Sequence, residues 1–281
     1  MKLIDALDMV ARYRPAWKGK VGWKPPFTYN RDHLLRLLGA DKDVRRITKR
    51  DLLEMRHTLL EEPGQRGKRS EGGVNRIMSM CNTLLSDLVE LEILDGFPKI
   101  KPLKENNTRT TFFTEGQINR MVKLAKEFFN NDELGEAILF AVYTGCRQGE
   151  LLRLRVEDVD LDNRLLTFRD TKNGDDHVID IHSGLDAVLQ WRLALKKKED
   201  KLFDFINDDQ LRDQFYKVRD MAGIDDDHVW HSLRHTTATW LVDRDVPIQV
   251  IAEVLNHKTL QTTERYAKVS SKARKSAINK L

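Results

Sequence analysis

Cysteine is scarce in this sequence of 281 residues, which contains only Cys81 and Cys146. Two cysteines so far apart are too few for a disulfide framework, and they lack the close pairing of a structural zinc site. Long apolar runs are also missing, since the longest, residues 137–143, is too short to cross a bilayer. Asp5 and Asp8 interrupt the first apolar stretch before a signal peptide forms. These absences argue against secretion and membrane spanning, and they predict a cytoplasmic protein with no membrane partner.

A large net charge is absent as well, because 48 Lys and Arg side chains stand against 44 Asp and Glu. The balance is nevertheless uneven along the chain. Residues 1–108 contain 21 basic and 15 acidic side chains, whereas the rest of the chain contains 27 and 29. A basic excess confined to the first part indicates a polyanionic partner such as nucleic acid, and a solvated basic surface is the alternative.

The first part of the chain has apolar residues at helical spacing only. This spacing predicts four helices, over residues 3–13, 29–38, 51–60 and 74–94. Thr48 is the expected N-cap of the third helix, and the Pro and Gly residues of 63–73 separate the third helix from the fourth. Residues 97–111 include two prolines and Asn106-Asn107, which indicates an exposed linker and a boundary near residue 108. We therefore predict a helical domain over 1–108 and a second domain over 109–281.

The second part combines helices with a short β segment. Thr114 and Gln117 have the spacing of a capping box, so a helix is expected from there to about residue 129, followed by one to 143 and another from about 146. Residues 165–168 and 177–181 are β-prone and are separated by Asn173-Gly174, a strong hairpin signal. After residue 183 the spacing is helical again. The predicted fold is mainly α with a small antiparallel β element.

Three polar clusters stand out in the second part: residues 144–151 (TGCRQGEL), residues 231–235 (HSLRH), and Leu255-Asn256-His257 with Tyr266 nine residues later. In this order, and with Lys172 in the hairpin between the first two clusters, they resemble the tyrosine recombinase (phage integrase) family. The resemblance covers the whole second domain, and the ordered combination is far more specific than any single cluster. It implies a two-domain clamp around duplex DNA with the family's catalytic fold.

The resemblance also implies roles for individual side chains. Arginine contacts two phosphate oxygens at once and stays charged, so Arg147 and Arg234 suit a scissile phosphate without a metal ion. Tyr266 is the expected nucleophile, and His231 is placed to accept its proton because imidazole titrates near neutral pH. Lys172 matches the lysine that donates a proton to the departing 5′ oxygen, although a lysine before Asn-Gly is otherwise an ordinary turn residue.

Three further residues match family positions. His257 is expected to hydrogen-bond a non-bridging phosphate oxygen, and the residue before it is Asn256 where the family usually has glycine. Asparagine still tolerates a left-handed backbone. Glu150 and His235 are expected to support the catalytic groups without taking part in the chemistry, since Glu150 lies on the same helix face as Arg147.

A zinc site is the competing interpretation of His231 and His235, because these residues have i, i+4 spacing. It lacks the Glu of the H-E-x-x-H motif and a third ligand, while Asp225-Asp226-Asp227 is more typical of a solvated turn. We therefore expect no metal, no ATP and no cofactor, because the energy of the broken bond is kept in the covalent link to DNA.

The expected partners are double-stranded DNA at specific recombination sites and three further copies of the chain, with accessory DNA-bending or directionality proteins. Candidate DNA-backbone contacts in the first domain are Arg66, Lys68, Arg69 and Arg76. The implied function is prophage or mobile-element integration and excision, by a phage or prokaryotic enzyme acting at the nucleoid. Three alternatives stay open: a chromosome- or plasmid-dimer resolvase or invertase, a type IB topoisomerase, and a catalytically silent DNA-binding regulator.

Overall fold

The computed structural model describes residues 1–14, 17, 26–64, 67–105, 111–129, 132–171 and 174–269. The chain forms two compact units, residues 1–107 and 108–281. Among the described residues, no helix has the length and apolar character needed to cross a membrane.

The first unit consists mainly of four helices, as the spacing predicted. They are α1 (Leu3–Tyr13), α2 (Pro26–Leu38), α3 (Lys49–Glu61) and α4 (Glu71–Glu90). Thr48 caps α3 as expected: its hydroxyl accepts from the amide of Asp51, whose carboxylate accepts from the amide of Thr48. α4 packs against the other three helices, and its buried face supplies much of the core of this unit.

Two details of the first unit differ from the prediction of a wholly helical domain. Between α3 and α4, two-residue strands β1 (Pro63–Gly64) and β2 (Gly67–Lys68) pair in antiparallel fashion. α4 also ends at Glu90, four residues earlier than expected. The amides of Ile93 and Leu94 both donate to the carbonyl of Leu88, and Glu92 has a left-handed φ of 57°. The apolar residues at 93 and 94 thus continue the helical spacing while the backbone has already turned.

Residues 97–105 are less exposed than their composition predicted. Phe97, Ile100 and Leu103 pack against the core of the first unit. Asn75 on α4 holds this segment through its side-chain amide, which donates to the carbonyl of Leu103 at 2.9 Å and accepts from its amide at 2.8 Å. The expectation of an exposed linker is therefore wrong for these three side chains, while residues 106–110 lie outside the described residues.

The second unit contains eight α-helices and three short strands among its described residues. The helices are α5 (Glu115–Phe129), α6 (Glu133–Thr144), α7 (Gln148–Arg153), α8 (Asp186–Leu195), α9 (Asp208–Met221), α10 (Ser232–Asp243), α11 (Ile248–Val254) and α12 (Leu260–Val269). The strands are β3 (Val159–Asp160), β4 (Leu165–Phe168) and β5 (His177–Asp180).

The three strands form an antiparallel sheet in the order β3-β4-β5, with Leu166 opposite Ile179. This confirms the predicted hairpin. The capping box before α5 is also confirmed, because the Thr114 hydroxyl accepts from the amide of Gln117 and the Gln117 side chain accepts from the amide of Thr114. α10 packs against both α6 and α12, and α11 packs against α12. These contacts bring together the three polar clusters, which are far apart in sequence.

Candidate active site

The turn between α6 and α7 begins with Gly145, which ends α6 in a left-handed conformation with φ of 65°. Two features of the structure exclude a side chain at this position. The conformation disfavours a Cβ, and a Cβ would lie 2.4 Å from Cδ2 of Leu255. Glycine therefore allows the start of α7 to approach the end of α11 closely.

Arg147 follows this turn as the N-cap of α7. The buried carboxylate of Glu150 accepts from the amide of Arg147 and from its Nη1, both at 2.7 Å. A carboxylate in the first turn is also favoured by the helix dipole. Glu150 thus fixes both the backbone and the side chain of Arg147, while Nη2 donates to the carbonyl of Asn256 at 3.3 Å.

Arg234 projects from the first turn of α10 and is only 4% exposed. Its Nη1 donates to the carbonyl of Gly145 at 2.7 Å, and its Nη2 donates to the carbonyl of Leu255. Burial, and then the positive charge of Arg147, lower the pKa of Arg234 to about 10. The group still carries its charge at neutral pH.

The turn after α11 holds the two arginines next to each other. Asn256 has a φ of 48° and its amide donates to the carbonyl of Glu253, while the amide of His257 donates to the carbonyl of Ala252. This is a Schellman turn with asparagine in the position where glycine is commonest. Asn256 thus adopts the left-handed conformation that asparagine tolerates. The consecutive carbonyls of Leu255 and Asn256 accept from Arg234 and Arg147, respectively.

His257 lies directly after this turn. Its Nδ1 is hydrogen-bonded to the hydroxyl of the buried Thr263 at 2.7 Å, which fixes the ring between α11 and α12. Burial and then the charge of Arg234 lower the pKa of His257 to about 4. The ring is therefore neutral near pH 7.

Tyr266, on α12, has no exposed surface. Its ring packs with apolar side chains of α10 and α11, namely Ala238, Val242, Ile251 and Leu255. Its hydroxyl is hydrogen-bonded to Nδ1 of His235 at 2.7 Å, and Nη2 of Arg265 donates to it at 3.4 Å. Burial raises the pKa of Tyr266 above its ordinary value near 10, so the phenol is protonated at neutral pH.

His231, the N-cap of α10, and His235, in the first turn of that helix, differ in their surroundings. The ring of His231, which keeps an exposed surface, lies edge-to-face on the ring of His235 with centroids 4.8 Å apart. Desolvation by the surrounding protein and then the charge of Arg234 lower the pKa of His231 to about 4. Desolvation and then the neighbouring His231 lower the pKa of His235 to about 3. The hydrogen bond of Tyr266 goes to His235, whereas the sequence had indicated His231 as its partner.

Lys172 lies outside the described residues, as does the Asn173 that follows it. The hairpin on either side of it is attached to the site. Nδ2 of Asn256 lies 3.3 Å from the Thr171 hydroxyl, and Nε2 of His177 lies 3.1 Å from the carbonyl of Val254. The base of the hairpin therefore contacts the same turn that holds the arginines.

The predicted DNA contacts of the first unit are not equivalent. Lys68 and Arg76 are exposed, and Arg66 lies outside the described residues. Arg69 requires a correction, because its side chain is only 9% exposed and its Nη1 donates to the hydroxyl of Tyr29 at 2.7 Å. Arg69 holds α2 against the start of α4, so it is a poor candidate for a phosphate contact.

Within the described part of the chain, no group of three or more His, Cys, Asp or Glu side chains is arranged to hold a metal ion. His231 and His235 thus have no third ligand of this kind among those residues.

Sequence reasoning missed several contributors to the site. Arg265 is adjacent to the tyrosine in sequence, but the carbonyls of Gly145 and Leu255 leave no signal in side-chain patterns.

A comparison with known protein families shows which family the chain belongs to. The phage integrase family model matches residues 111–273, which is more than half of the sequence. The chain belongs to the phage integrase family. The tyrosine recombinase XerA of Saccharolobus solfataricus is 28% identical over 232 residues, 80% of this chain and 76% of that protein. This integrase-family chain is therefore a site-specific tyrosine recombinase, an enzyme that cleaves and rejoins DNA.

Solved structures agree on the fold. A Tn1549 transposon integrase in complex with circular intermediate DNA has a TM-score of 0.74 at 14% identity over 100% of both chains. The XerH site-specific recombinase bound to palindromic difH substrate has a TM-score of 0.70 at 17% identity, covering 89% of this chain and 77% of that one. The mainly helical fold with a small antiparallel sheet is thus the tyrosine recombinase fold.

Proposed function

We propose that Tyr266 is the nucleophile of this recombinase and that Arg147 and Arg234 bind the scissile phosphate. The observation that carries the proposal is that the two guanidinium groups are held side by side by consecutive backbone carbonyls. Carbonyls orient the groups but cancel little of their charge, and the carboxylate of Glu150 forms an ion pair with Arg147. Fixed positive charge is what a pentacoordinate phosphate requires.

The proposed reaction balances without a cofactor. The oxygen of Tyr266 forms a bond to phosphorus, the bond from phosphorus to the 5′ oxygen breaks, and the product is a 3′-phosphotyrosyl link with a free 5′ hydroxyl. The tyrosine proton leaves toward the histidines, with His231 as the assigned acceptor. Lys172 supplies the proton to the 5′ oxygen. His257 contacts a non-bridging oxygen, and a 5′ hydroxyl from the partner duplex reverses the steps.

For the assembly, we propose four copies on two duplex sites, with strands exchanged in two successive steps. The basic excess of residues 1–108 supports DNA contact by the first unit, and Lys68, Arg76 and Arg66 are its candidate residues. The proposed task is integration and excision of a prophage or other mobile element at the nucleoid, with accessory DNA-bending or directionality proteins. Similarity to a transposon integrase and to a XerH recombinase supports recombination between sites.

The nucleophile is tested with Tyr266→Phe and a suicide duplex, in which cleavage releases a short 5′-hydroxyl fragment and prevents religation. We expect the parent protein to give a covalent adduct on denaturing gels in EDTA-containing buffer, and the phenylalanine variant to bind the duplex equally but give none. An adduct of normal yield with the variant would show that another side chain attacks.

The task is tested on supercoiled plasmids that carry one or two copies of a site selected from a duplex library by covalent capture. Integration or excision predicts recombinant products only from paired sites. Relaxation of a plasmid with one site would indicate topoisomerase activity. Products limited to directly repeated sites on one molecule would indicate a resolvase, and binding without products would indicate a regulator.

A further inference from the structure

The hydroxyl of Tyr266 has two hydrogen bonds to described residues, and neither involves the catalytic residues assigned above. One joins it to Nδ1 of His235 at 2.7 Å and the other to Nη2 of Arg265 at 3.4 Å. The guanidinium of Arg265 also lies 5.1 Å from the centre of the tyrosine ring. The oxygen of Tyr266 is therefore held on two sides, by His235 and by Arg265.

The direction of the short hydrogen bond follows from the donors available. A guanidinium can only donate, so Arg265 uses a lone pair of the tyrosine oxygen. If Nδ1 of His235 also donated, the phenolic proton would have no acceptor among the described residues, which is costly for a buried group. The arrangement that satisfies all three groups has the phenol donating to Nδ1 and the proton of His235 on Nε2.

The place of His235 on α10 explains why it reaches the tyrosine. Successive residues on a helix point about 100° apart. Arg234 points to the carbonyls of Gly145 and Leu255, and His235, the next residue, points to α12. The first turn of α10 thus carries both Arg234, which is proposed to bind phosphate, and His235, which holds the proposed nucleophile.

We propose that His235 is a positioning residue of the cleavage reaction, which holds the Tyr266 oxygen in place and directs its proton away from the phosphate. The proposal rests on the assignment of Tyr266 as the nucleophile. With the O–H bond directed at Nδ1 and the proton still on the oxygen, a lone pair can face phosphorus, as attack from a near-attack position requires. This role differs from general support of the site, since it acts on one atom.

The test compares His235→Ala, His235→Asn and His235→Gln by the single-turnover rate of adduct formation at saturating suicide duplex. The amide oxygen of Asn stands close to the position of Nδ1, whereas that of Gln stands close to Nε2. We expect the alanine and glutamine variants to lose roughly 10²-fold in rate, and the asparagine variant to stay within about tenfold of the parent. Affinity for the duplex should be unchanged in all three, because Arg234 is held by the carbonyls of Gly145 and Leu255 and not by His235.

Thr239→Val is the matched control, one turn further along α10. Its hydroxyl is buried without a hydrogen-bond partner among the described residues, so the parent rate is expected. A second substrate, with sulfur in place of the 5′ bridging oxygen, removes the need to protonate the leaving group. The defect of His235→Ala should persist on this substrate, because the defect lies in the nucleophile.

The outcomes are distinguishable from failure of the proposed function. If Tyr266→Phe still forms the adduct, the nucleophile is misassigned. If Tyr266→Phe is inactive and His235→Ala reacts at the parent rate, the positioning role alone is wrong. Equal losses for the asparagine, glutamine and alanine variants would also overturn it, since they would indicate a packing defect, as would full recovery of His235→Ala on the sulfur substrate.

Discussion

Arg192 and Arg234 are both buried arginines of the second unit, yet their surroundings carry different charge. Arg192 on α8 forms ion pairs with Glu133 and Glu136 of α6 and also donates to the carbonyl of Leu202. Arg234 forms its hydrogen bonds with two carbonyls and lies near a second arginine. The first guanidinium is neutralised by the protein and joins two helices. The second is oriented without being neutralised, which is how a protein prepares a site for an anion.

The largest effect should come from Arg234→Met, which we expect to lower the rate of adduct formation by about 10³-fold, because it removes a fixed charge from the transition state. The free energy of unfolding should fall less than in Arg192→Met, since desolvating an uncompensated charge is itself unfavourable. Single-turnover cleavage and urea unfolding of the two variants measure both quantities. If Arg234→Met cleaved at the parent rate, the contrast between Arg234 and Arg192 would be wrong.

Arg192→Met should show the reverse pattern. Breaking a buried ion pair by removing one partner costs about 3 to 5 kcal/mol, because the carboxylates of Glu133 and Glu136 lose this cation. At a temperature where the variant stays folded, its adduct rate per folded molecule should equal that of the parent. A stable variant with impaired cleavage would show that Arg192 belongs to the site.

Gly145→Ala tests the close approach that lets a carbonyl hold Arg234. The left-handed φ and the contact with Leu255 together should cost about 2 to 4 kcal/mol in unfolding free energy, and the adduct rate should fall. Gly223→Ala is a matched control, because Gly223 has the same φ of 65° with open space around it. The control measures the unfolding free energy lost through the left-handed φ alone. Similar losses of unfolding free energy in both variants would show that the contact with Leu255 is unimportant.

A smaller effect should appear in the pH dependence of stability. His235 and His257 have pKa values of about 3 and 4 in the folded protein, below the value near 6.5 expected when unfolded. Between pH 6.5 and about 4 the unfolded chain binds more protons, so the unfolding free energy falls as the pH is lowered. The loss is at most about 1.4 kcal/mol per pH unit for each histidine.

Urea unfolding of the DNA-free protein at pH 7 and pH 5 measures this loss, and the His235→Asn and His257→Asn variants provide the comparison. Each variant should lose less stability than the parent between the two pH values. Identical losses in the parent and both variants would show that these rings do not carry the effect.

Much of the fold follows from local sequence signals. The capping residues Thr48 and Thr114 and the β-prone segments around Asn173-Gly174 each act through neighbours in the chain, so they predict starts and turns well. The end of α4 was predicted less well, because Leu94 keeps the helical spacing and is buried after the backbone has turned at Glu92.

The site was predictable as a set of residues but not as a set of contacts. The clusters around Arg147, Arg234 and Tyr266 are visible in the sequence order alone. The hydrogen bond between the Tyr266 phenol and His235 depends on how α10 packs against α12. No local sequence pattern encodes this packing. The burial of Arg69 likewise depends on Tyr29, forty residues earlier.

The turn at Asn256 makes the two guanidinium groups that are proposed to bind phosphate interdependent. The carbonyls that hold Arg234 and Arg147 belong to neighbouring peptide groups, and the same turn positions His257. A rotation of the backbone there would disturb one hydrogen bond of each guanidinium group at the same time, since adjacent peptide planes share a Cα atom. A movement of this turn would therefore loosen Arg147 and Arg234 together, and Glu150 and the carbonyl of Gly145 would be left as their remaining anchors.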